Sequence, residues 1–422
     1  MNDELTGRLV EDVAQHSSRR FSLRDDLDNL VKVRPTGAPE ATIIYCVRIV
    51  ESLAENALML ARMDPSPNLF SNLTSLHAYN LIPMSTLYWA NSLRWIGNAV
   101  RHIRRRVNAV DMELSLAFAE ACIEWFFCRC PLALRLASVT KDGARLGLCK
   151  SQTFWRMLTE IESSDFDQHV MMELSGNGRN AEFLKTPALP ATFAQALIDC
   201  EAYEDAAVVL EAGLETYADD LRLRQLQGLL WSRTGELDKA LSSLEELYKA
   251  APNDDETTGI LAGVHKRVWL RTRDRQDSLK RACRIYTHGW RAGKMRSPYL
   301  GINAAATALW QGNLEEARFL AHEVRELLVG RRAVLESAHV QQHLTLNFWD
   351  RVTLAEADLL LGNFDEARDA YNAAFEDHRS EQLGGIQVAR DQAIEDLHAM
   401  GLSATEEEFF SGRQPFTWGK GT

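Results

Sequence analysis

The sequence predicts an all-α protein in two parts, an N-terminal helical domain followed by an α-solenoid. Three observations predict it. Apolar residues recur at the three- and four-residue spacing of helices, a turn-then-helix segment returns several times in the C-terminal half, and SGNGRNAEFLKTPALP at 175–190 interrupts helical periodicity between the parts with Gly, Asn and two prolines. These place a helical domain over 1–135, a helical connector and linker over 136–190, the solenoid over 191–400 and a terminal cap over 401–422.

Composition narrows the function classes. A chain of 422 residues, 46% hydrophobic, can bury substantial cores. Its first residues, MNDELTGRLVEDVAQHSSRR, are charged where a secretory leader needs an apolar core, and no apolar run reaches the roughly 20 residues of a membrane span, which predicts a cytoplasmic protein with no membrane partner. Seven cysteines form no disulfide framework. Cys122, Cys128 and Cys130 cluster in CIEWFFCRC, but a closed zinc site needs four donors, so buried structural thiols are expected and neither metal nor cofactor is implied. The net charge of −12 opposes general affinity for phosphate backbones. Locally the balance reverses: Arg94, Arg101, Arg104, Arg105 and Arg106 fall within 94–106 without a carboxylate.

The solenoid rests on internal repeats. GELDKA begins at 235, GNLEEAR at 312, GNFDEAR at 362, and CEAYEDAA near 200 is a degenerate copy. Each is a turn followed by a helix start, with a small residue (Ala206, Ala240, Ala317, Ala367) where helices approach closely. The first interval is 34 residues, the period of the tetratricopeptide helix-turn-helix repeat; the later ones, 77 and 50, imply longer helices or loops. In the clearest unit, Leu221 to Asp254, Gly228 and Trp231 take the small and aromatic positions, Ala240 the second small position, and Pro252 closes the unit. Stacked helix pairs present a concave surface that binds partners and performs no chemistry by default. Arg222, Gln225 and Arg233 on an inner helix, with Tyr299 and Trp349, are the candidate partner-binding residues.

YLGINAAATALWQGNLEEAR (299–318), FWDRVTLAEADLLLGNFDEARDAYNAAF (348–375) and WLRTRDRQDSLKRACRIYTHGWRAG (269–293) resemble the regulatory, TRAFs-binding repeat region of apoptosis signal-regulating kinases and its bacterial relatives. No glycine-rich loop, HRD or DFG accompanies it. The resemblance implies a sensor or adaptor joined to an effector domain in a bacterial defence or stress system.

In the N-terminal part, helices are predicted over 38–63, 83–107 and 111–129, the last two as an antiparallel hairpin. Trp89, Leu93, Ile96, Val100, Ile103 and Val107 form a core stripe. Arg94, Asn98 and His102 project about 100° to 200° from its centre, outside the core, and Trp95 projects near His102, which points to a second contact surface. The R-x-x-G-N-x-x-x-H of LRWIGNAVRH resembles a bacterial branch of the HEPN superfamily, helical domains found in dimeric, metal-independent ribonucleases. The resemblance implies that Arg94 holds a scissile RNA phosphate, Asn98 orients it or the histidine, and His102 acts as general acid or base. It also implies a homodimer. In the commoner nuclease pattern the Arg directly precedes the polar residue, where this chain has Gly97. An RNA-cleaving domain, an inactive dimerising or ligand-sensing domain and a plain solvated helix all fit, and a non-enzymatic adaptor is the alternative for the whole chain.

Other constellations in the sequence are weaker. His339 and His343 in HVQQH stand four apart without HExxH or a third ligand, and read as polar helix surface. GNGRN lacks the GK[ST] of a phosphate loop, and TEEEFF near 405 reads as the start of a solvated capping helix.

Overall fold

A computed structural model describes residues 23–61, 63, 65, 66, 68–78, 81–102, 105–130, 147–251, 254–293, 295, 297–337, 346–377 and 383–411. Regular structure among them is helical throughout. Contacts divide the chain into two units, residues 1–230 with 334–344, and residues 231–333 with 345–422. His339, His343 and Pro252 lie outside the described residues.

The first unit contains α1 (Leu23–Val33), α2 (Pro39–Leu60), α3 (Leu69–Ala78), α4 (Met84–Arg101), α5 (Ala109–Glu124), α6 (Gln152–Ser163), α7 (Gln168–Ser175), α8 (Ala188–Asp199) and α9 (Tyr203–Thr216), with most of α10 (Leu221–Arg233). Trp89, Leu93 and Ile96 of the expected stripe are buried, and Trp89 stacks on Phe118 of α5 with ring centroids 5.4 Å apart. Each such side chain contributes roughly 1.5–3 kcal/mol of burial. Trp89 early in α4 meets Phe118 late in α5, while Arg105 beyond α4 meets Asp111 at the start of α5, the pattern of an antiparallel hairpin.

The predicted helix over 83–107 ends six residues early, at Arg101. Its successor starts under strong local instruction: the Asn108 side chain accepts from the backbone N–H groups of Val110 and Asp111, and Asp111 accepts from the Asn108 N–H, a reciprocal capping box. That cap fixes extended backbone at Asn108, so α4 and α5 cannot fuse. At 125–129 the helix widens into a π turn that carries Cys128. Cys122 and Cys130 are buried, as structural thiols should be, and burial raises the Cys122 thiol above its ordinary range.

The stretch from Ser175 to Asn180 is a tight turn in which Gly176, Asn177 and Gly178 all take positive φ. It packs on α9, since a Cβ at Gly178 would stand 3.1 Å from Ala212 and 3.2 Å from the Val208 carbonyl oxygen.

The second unit holds the end of α10, α11 (Leu237–Ala250), α12 (Asp255–Thr272), α13 (Gln276–Ala292), α14 (Pro298–Trp310), most of α15 (Leu314–Ser337), α16 (Phe348–Leu361), α17 (Phe364–Glu376), α18 (Leu383–Ala399) and α19 (Glu406–Ser411). The repeat signature has a direct physical account. Gly235, Gly312 and Gly362 sit at φ between 82° and 92°, the left-handed corner that ends one helix and admits the next. Five residues on, Ala240, Ala317 and Ala367 are fully buried where a larger side chain would separate the helices. The degenerate copy in the first unit keeps the buried alanine, Ala206, but places Glu201 at the corner with φ 64°.

α14 is buried over its whole length from Gly301 to Trp310, which explains why its sequence, GINAAATALW, is apolar on every side. A Cβ at Gly301 would lie 2.5 Å from Val324 of α15 and 3.1 Å from Trp290 of α13. The glycine is therefore required by packing. α14 also contacts α16 and α18, so the first helices of successive pairs line one face. TEEEFF forms α19, whose Phe409 and Phe410 are buried against Tyr371 and Phe375, so this segment is a hydrophobic cap and not merely a solvated one.

Candidate functional site

The residues singled out on α4 do not stand together at the surface. Arg94 is only 8% exposed; its guanidinium lies 5.0 Å from the Phe70 ring centroid of α3 and 5.9 Å from that of Trp95, and its Nε donates to Asn91 Oδ1 at 3.2 Å. Projection of α4 against a single partner put Arg94 outside the core. In the structure α3 covers that side of α4, and Arg94 is enclosed. Asn98 is partly buried, while His102 is exposed and caps the helix end.

Gly97 answers to packing as well. A Cβ there would come within 2.5 Å of Val47 Cγ2, so glycine lets α2 and α4 approach. Two arginines of the cluster are paired with carboxylates elsewhere in the chain, Arg106 is exposed, and Arg104 lies outside the described residues. Arg101 pairs with Glu51 of α2 at 2.9 Å, and Arg105 makes a two-pronged bond to Asp111 at 2.7 and 2.8 Å. Asp111 is fully buried and also accepts from Thr186 Oγ1 at 2.7 Å.

The remaining face of α4 seats α8. Tyr88, Ser92 and Trp95 follow one another at helical spacing: the Tyr88 hydroxyl donates to Asp199 at 2.8 Å, Ser92 and Thr192 share a hydrogen bond at 2.5 Å, and the Arg222 guanidinium stacks 4.2 Å from the Trp95 ring centroid. Arg222 is held further by Gln195, at 2.5 Å, and Gln225, at 3.2 Å. Trp95 thus supplies the second contact surface expected of it, whereas Arg94 lies against Phe70 of α3, Asn98 is partly buried and His102 is exposed. Two candidate partner-binding residues are consumed by this arrangement: Gln225 is 1% exposed and Arg222 is engaged, both because α10 turns that side toward α4 and α8. Arg233 is exposed in the second unit.

Tyr299 and Trp349 occupy the second positions of α14 and α16 and are 54% and 48% exposed. Further along the same helices lies a polar cluster that pattern alone did not reveal. The Lys266 ammonium on α12 donates to Asn303 Oδ1 of α14 and to Gln392 Oε1 of α18, both at 2.5 Å. Gln392 passes its own N–H to Glu356 of α16 at 2.5 Å. Beside them the Trp310 indole donates to Asp396 at 2.8 Å, and Trp310 stacks on Trp269 at 5.1 Å. Glu356 and Asp396 are buried, and Lys266 is partly buried. Burial raises the Glu356 carboxyl to about 7 against the attraction of Lys266, raises Asp396 well above the usual range with help from Glu356, and lowers Lys266 to about 8. The signal in the sequence was Glu356 standing in the largely apolar VTLAEADLLL; Asp396, in RDQAIEDLH, gave none. Trp269, Asn303, Trp310 and Glu356 all come from the three stretches that carried the repeat-region resemblance.

Among the described residues no group of three or more His, Cys, Asp or Glu could hold a metal ion, and no helix is long and apolar enough to cross a membrane.

Comparison with known proteins fits the repeat geometry. Residues 202–309 match the family model of tetratricopeptide repeats of the sensor type, and the chain contains a tetratricopeptide repeat region. No curated protein matches the chain. Among solved structures it is similar to a thermophilic tetratricopeptide protein of Thermus thermophilus, at 18% identity and TM-score 0.38 over 50% of this chain and 100% of that one. It is similar also to the human IFIT1 dimer solved with m7Gppp-AAAA, at 12% identity and TM-score 0.36 over 89% and 95% of the two chains. The Cut9–Hcn1 hetero-tetramer of the APC/C gives 13% identity and TM-score 0.33 over 96% and 92%. Scores this low carry no argument about function.

Proposed function

We propose that this protein is a binding scaffold whose repeat helices hold a protein partner through the face formed by α14, α16 and α18. The observation behind it is the exposure of Tyr299 and Trp349 at the same position of successive inner helices, with Val388 of α18 a further 52% exposed. Large aromatics bury at interface centres and are costly to leave in water. Helix-pair repeats supply such faces without supplying chemistry.

The finer reading follows the resemblances: a defence or stress protein of bacterial type in which the repeats act as sensor and adaptor for an N-terminal HEPN-like, RNA-cleaving dimer. The exposed His102 and partly exposed Asn98 support its chemistry, whereas the enclosure of Arg94 beneath Phe70 speaks for the non-enzymatic adaptor.

The test is quantitative capture from lysate of the native host by the wild-type protein and by a Tyr299→Ala, Trp349→Ala double variant of unchanged helicity. A defined set of proteins retained by the first and lost by the second is expected. Equal capture by both would remove this face from the function.

A further inference from the structure

We propose that the Lys266, Glu356 and Asp396 cluster is a proton-operated catch between the inner helices of the second unit, binding α16 and α18 to α12 and α14 when protonated and loosening them when it ionises. Its effect on a partner rests on the scaffold reading above; its effect on the helices does not.

Charge count favours the protonated state. One ammonium and two carboxylates are packed together, so full ionisation leaves a net negative charge enclosed by Trp310, Trp269 and Tyr371. An enclosed uncompensated charge is far costlier than a neutral acid in the same place. The hydrogen bonds of the cluster favour the same protonated state. Asp396 Oδ1 accepts from Trp310, but Asp396 Oδ2 is buried with no hydrogen-bond partner, and so is the hydroxyl of Tyr371 on the neighbouring α17. A carboxylate would leave that oxygen charged and bare, whereas a proton on it removes the charge. Lys266, Gln392 and Glu356 form one relay across three helices, so ionisation at Glu356 is felt at each of them.

The surroundings offer little further compensation. On α12 and at its end, Arg267 donates to the neutral Ser232 and its charge bears on Lys266, which it disfavours as an ammonium; Arg271 donates to the Gly235 carbonyl, and Arg273 is paired with Glu395 of α18. α14 brings only the neutral Asn303 and Trp310. On α16, Asp358 is bound to Arg325, and α17 presents Tyr371. His265 of α12 is engaged with Glu245, and His398 of α18 with the Ala404 carbonyl.

The sign follows from linkage. Glu356 folded titrates near 7, above its ordinary 4.5, so between those values the folded unit holds a proton that the unfolded chain has released. The stability this confers is complete below about 4.5 and is lost as pH rises through 7. Asp396, shifted in the same direction, adds to it.

Hydrogen exchange of the full chain at pH 5.5, 6.5 and 7.5, corrected for intrinsic exchange, tests this directly. Opening of α16 and α18 should become roughly tenfold more frequent at the highest pH, with α8 and α9 as internal reference. Glu356→Gln and Asp396→Asn, near-isosteric and still able to accept from Gln392 and Trp310, should each flatten the dependence. A wild type with no pH dependence in these helices overturns the proposal, whatever the variants do; so does the same slope in wild type and in whichever variants fold. Because no partner is present, the result stands apart from the capture experiment, whose failure would remove only the link to binding.

Discussion

Gly97 shows how a residue that stands in a catalytic-looking motif can be explained by contact. In the motif it sits beside Asn98, yet the atom a side chain would add there falls 2.5 Å from Val47. Gly97→Ala should therefore destabilise the first unit by about 1–3 kcal/mol through overpacking, measured by chemical denaturation; a change below about 0.5 kcal/mol would mean α2 and α4 separate easily. Asp111 carries the complementary case. It holds Arg105, Thr186 and the Asn108 cap together while fully buried, so Asp111→Ala leaves a guanidinium and a hydroxyl without their acceptor. A loss of about 3–5 kcal/mol is expected in the same assay, and a loss near 1 kcal/mol would show that water replaces the carboxylate. The arginine run of 94–106 looked uncompensated because charge was counted along the chain. Compensation came from Glu51, about fifty residues upstream, and from Asp111, just beyond the window.

Elements were most legible where a backbone conformation dictated a residue type. The corners with Gly235, Gly312 and Gly362 need left-handed φ, and the buried alanines need small volume, so both left marks at constant spacing. Helix ends without such a demand left none: α4 stops at Arg101 in a stretch of arginines that would serve equally well in a helix. The one corner that departs from the rule makes a prediction. Glu201 adopts φ 64°, a conformation that costs a side-chain-bearing residue about 1–2 kcal/mol. Glu201→Gly should raise stability by roughly 1 kcal/mol after the greater chain entropy of glycine is set against the relief of strain. Gly235→Ala should lower it by a similar amount, because there the strain is newly imposed. Thermal unfolding monitored by helicity measures both, and a destabilised Glu201→Gly protein would show that the glutamate side chain contributes more than its backbone costs.

At the scale of the whole molecule, the all-helical fold was legible because it is written in local periods, whereas the interacting groups were not, because they meet across the fold. Lys266 and Gln392 are 126 residues apart in the chain, and Trp95 and Arg222 come from helices that no pattern pairs. The same long-range pairing bears on nucleic acid. The chain carries −12, Arg101 and Arg105 are held by carboxylates, and Arg94 is enclosed, which leaves the exposed Arg106, among the described arginines of 94–106, to release counterions from a phosphate backbone. Binding of a mixed single-stranded RNA should accordingly be no tighter than the nonspecific range of about 10⁻⁴–10⁻⁶ M at physiological salt, and should change little between 50 and 200 mM salt. Total RNA incubated with the protein in EDTA should fragment no faster than with His102→Ala. Steeply salt-dependent binding, or cleavage by the wild type that His102→Ala lacks, would mean that Arg94 leaves its place beneath Phe70 to meet a phosphate. The helix that seats α8 would then also be a ribonuclease edge, with the contact between Arg94 and Phe70 as the element that must give way.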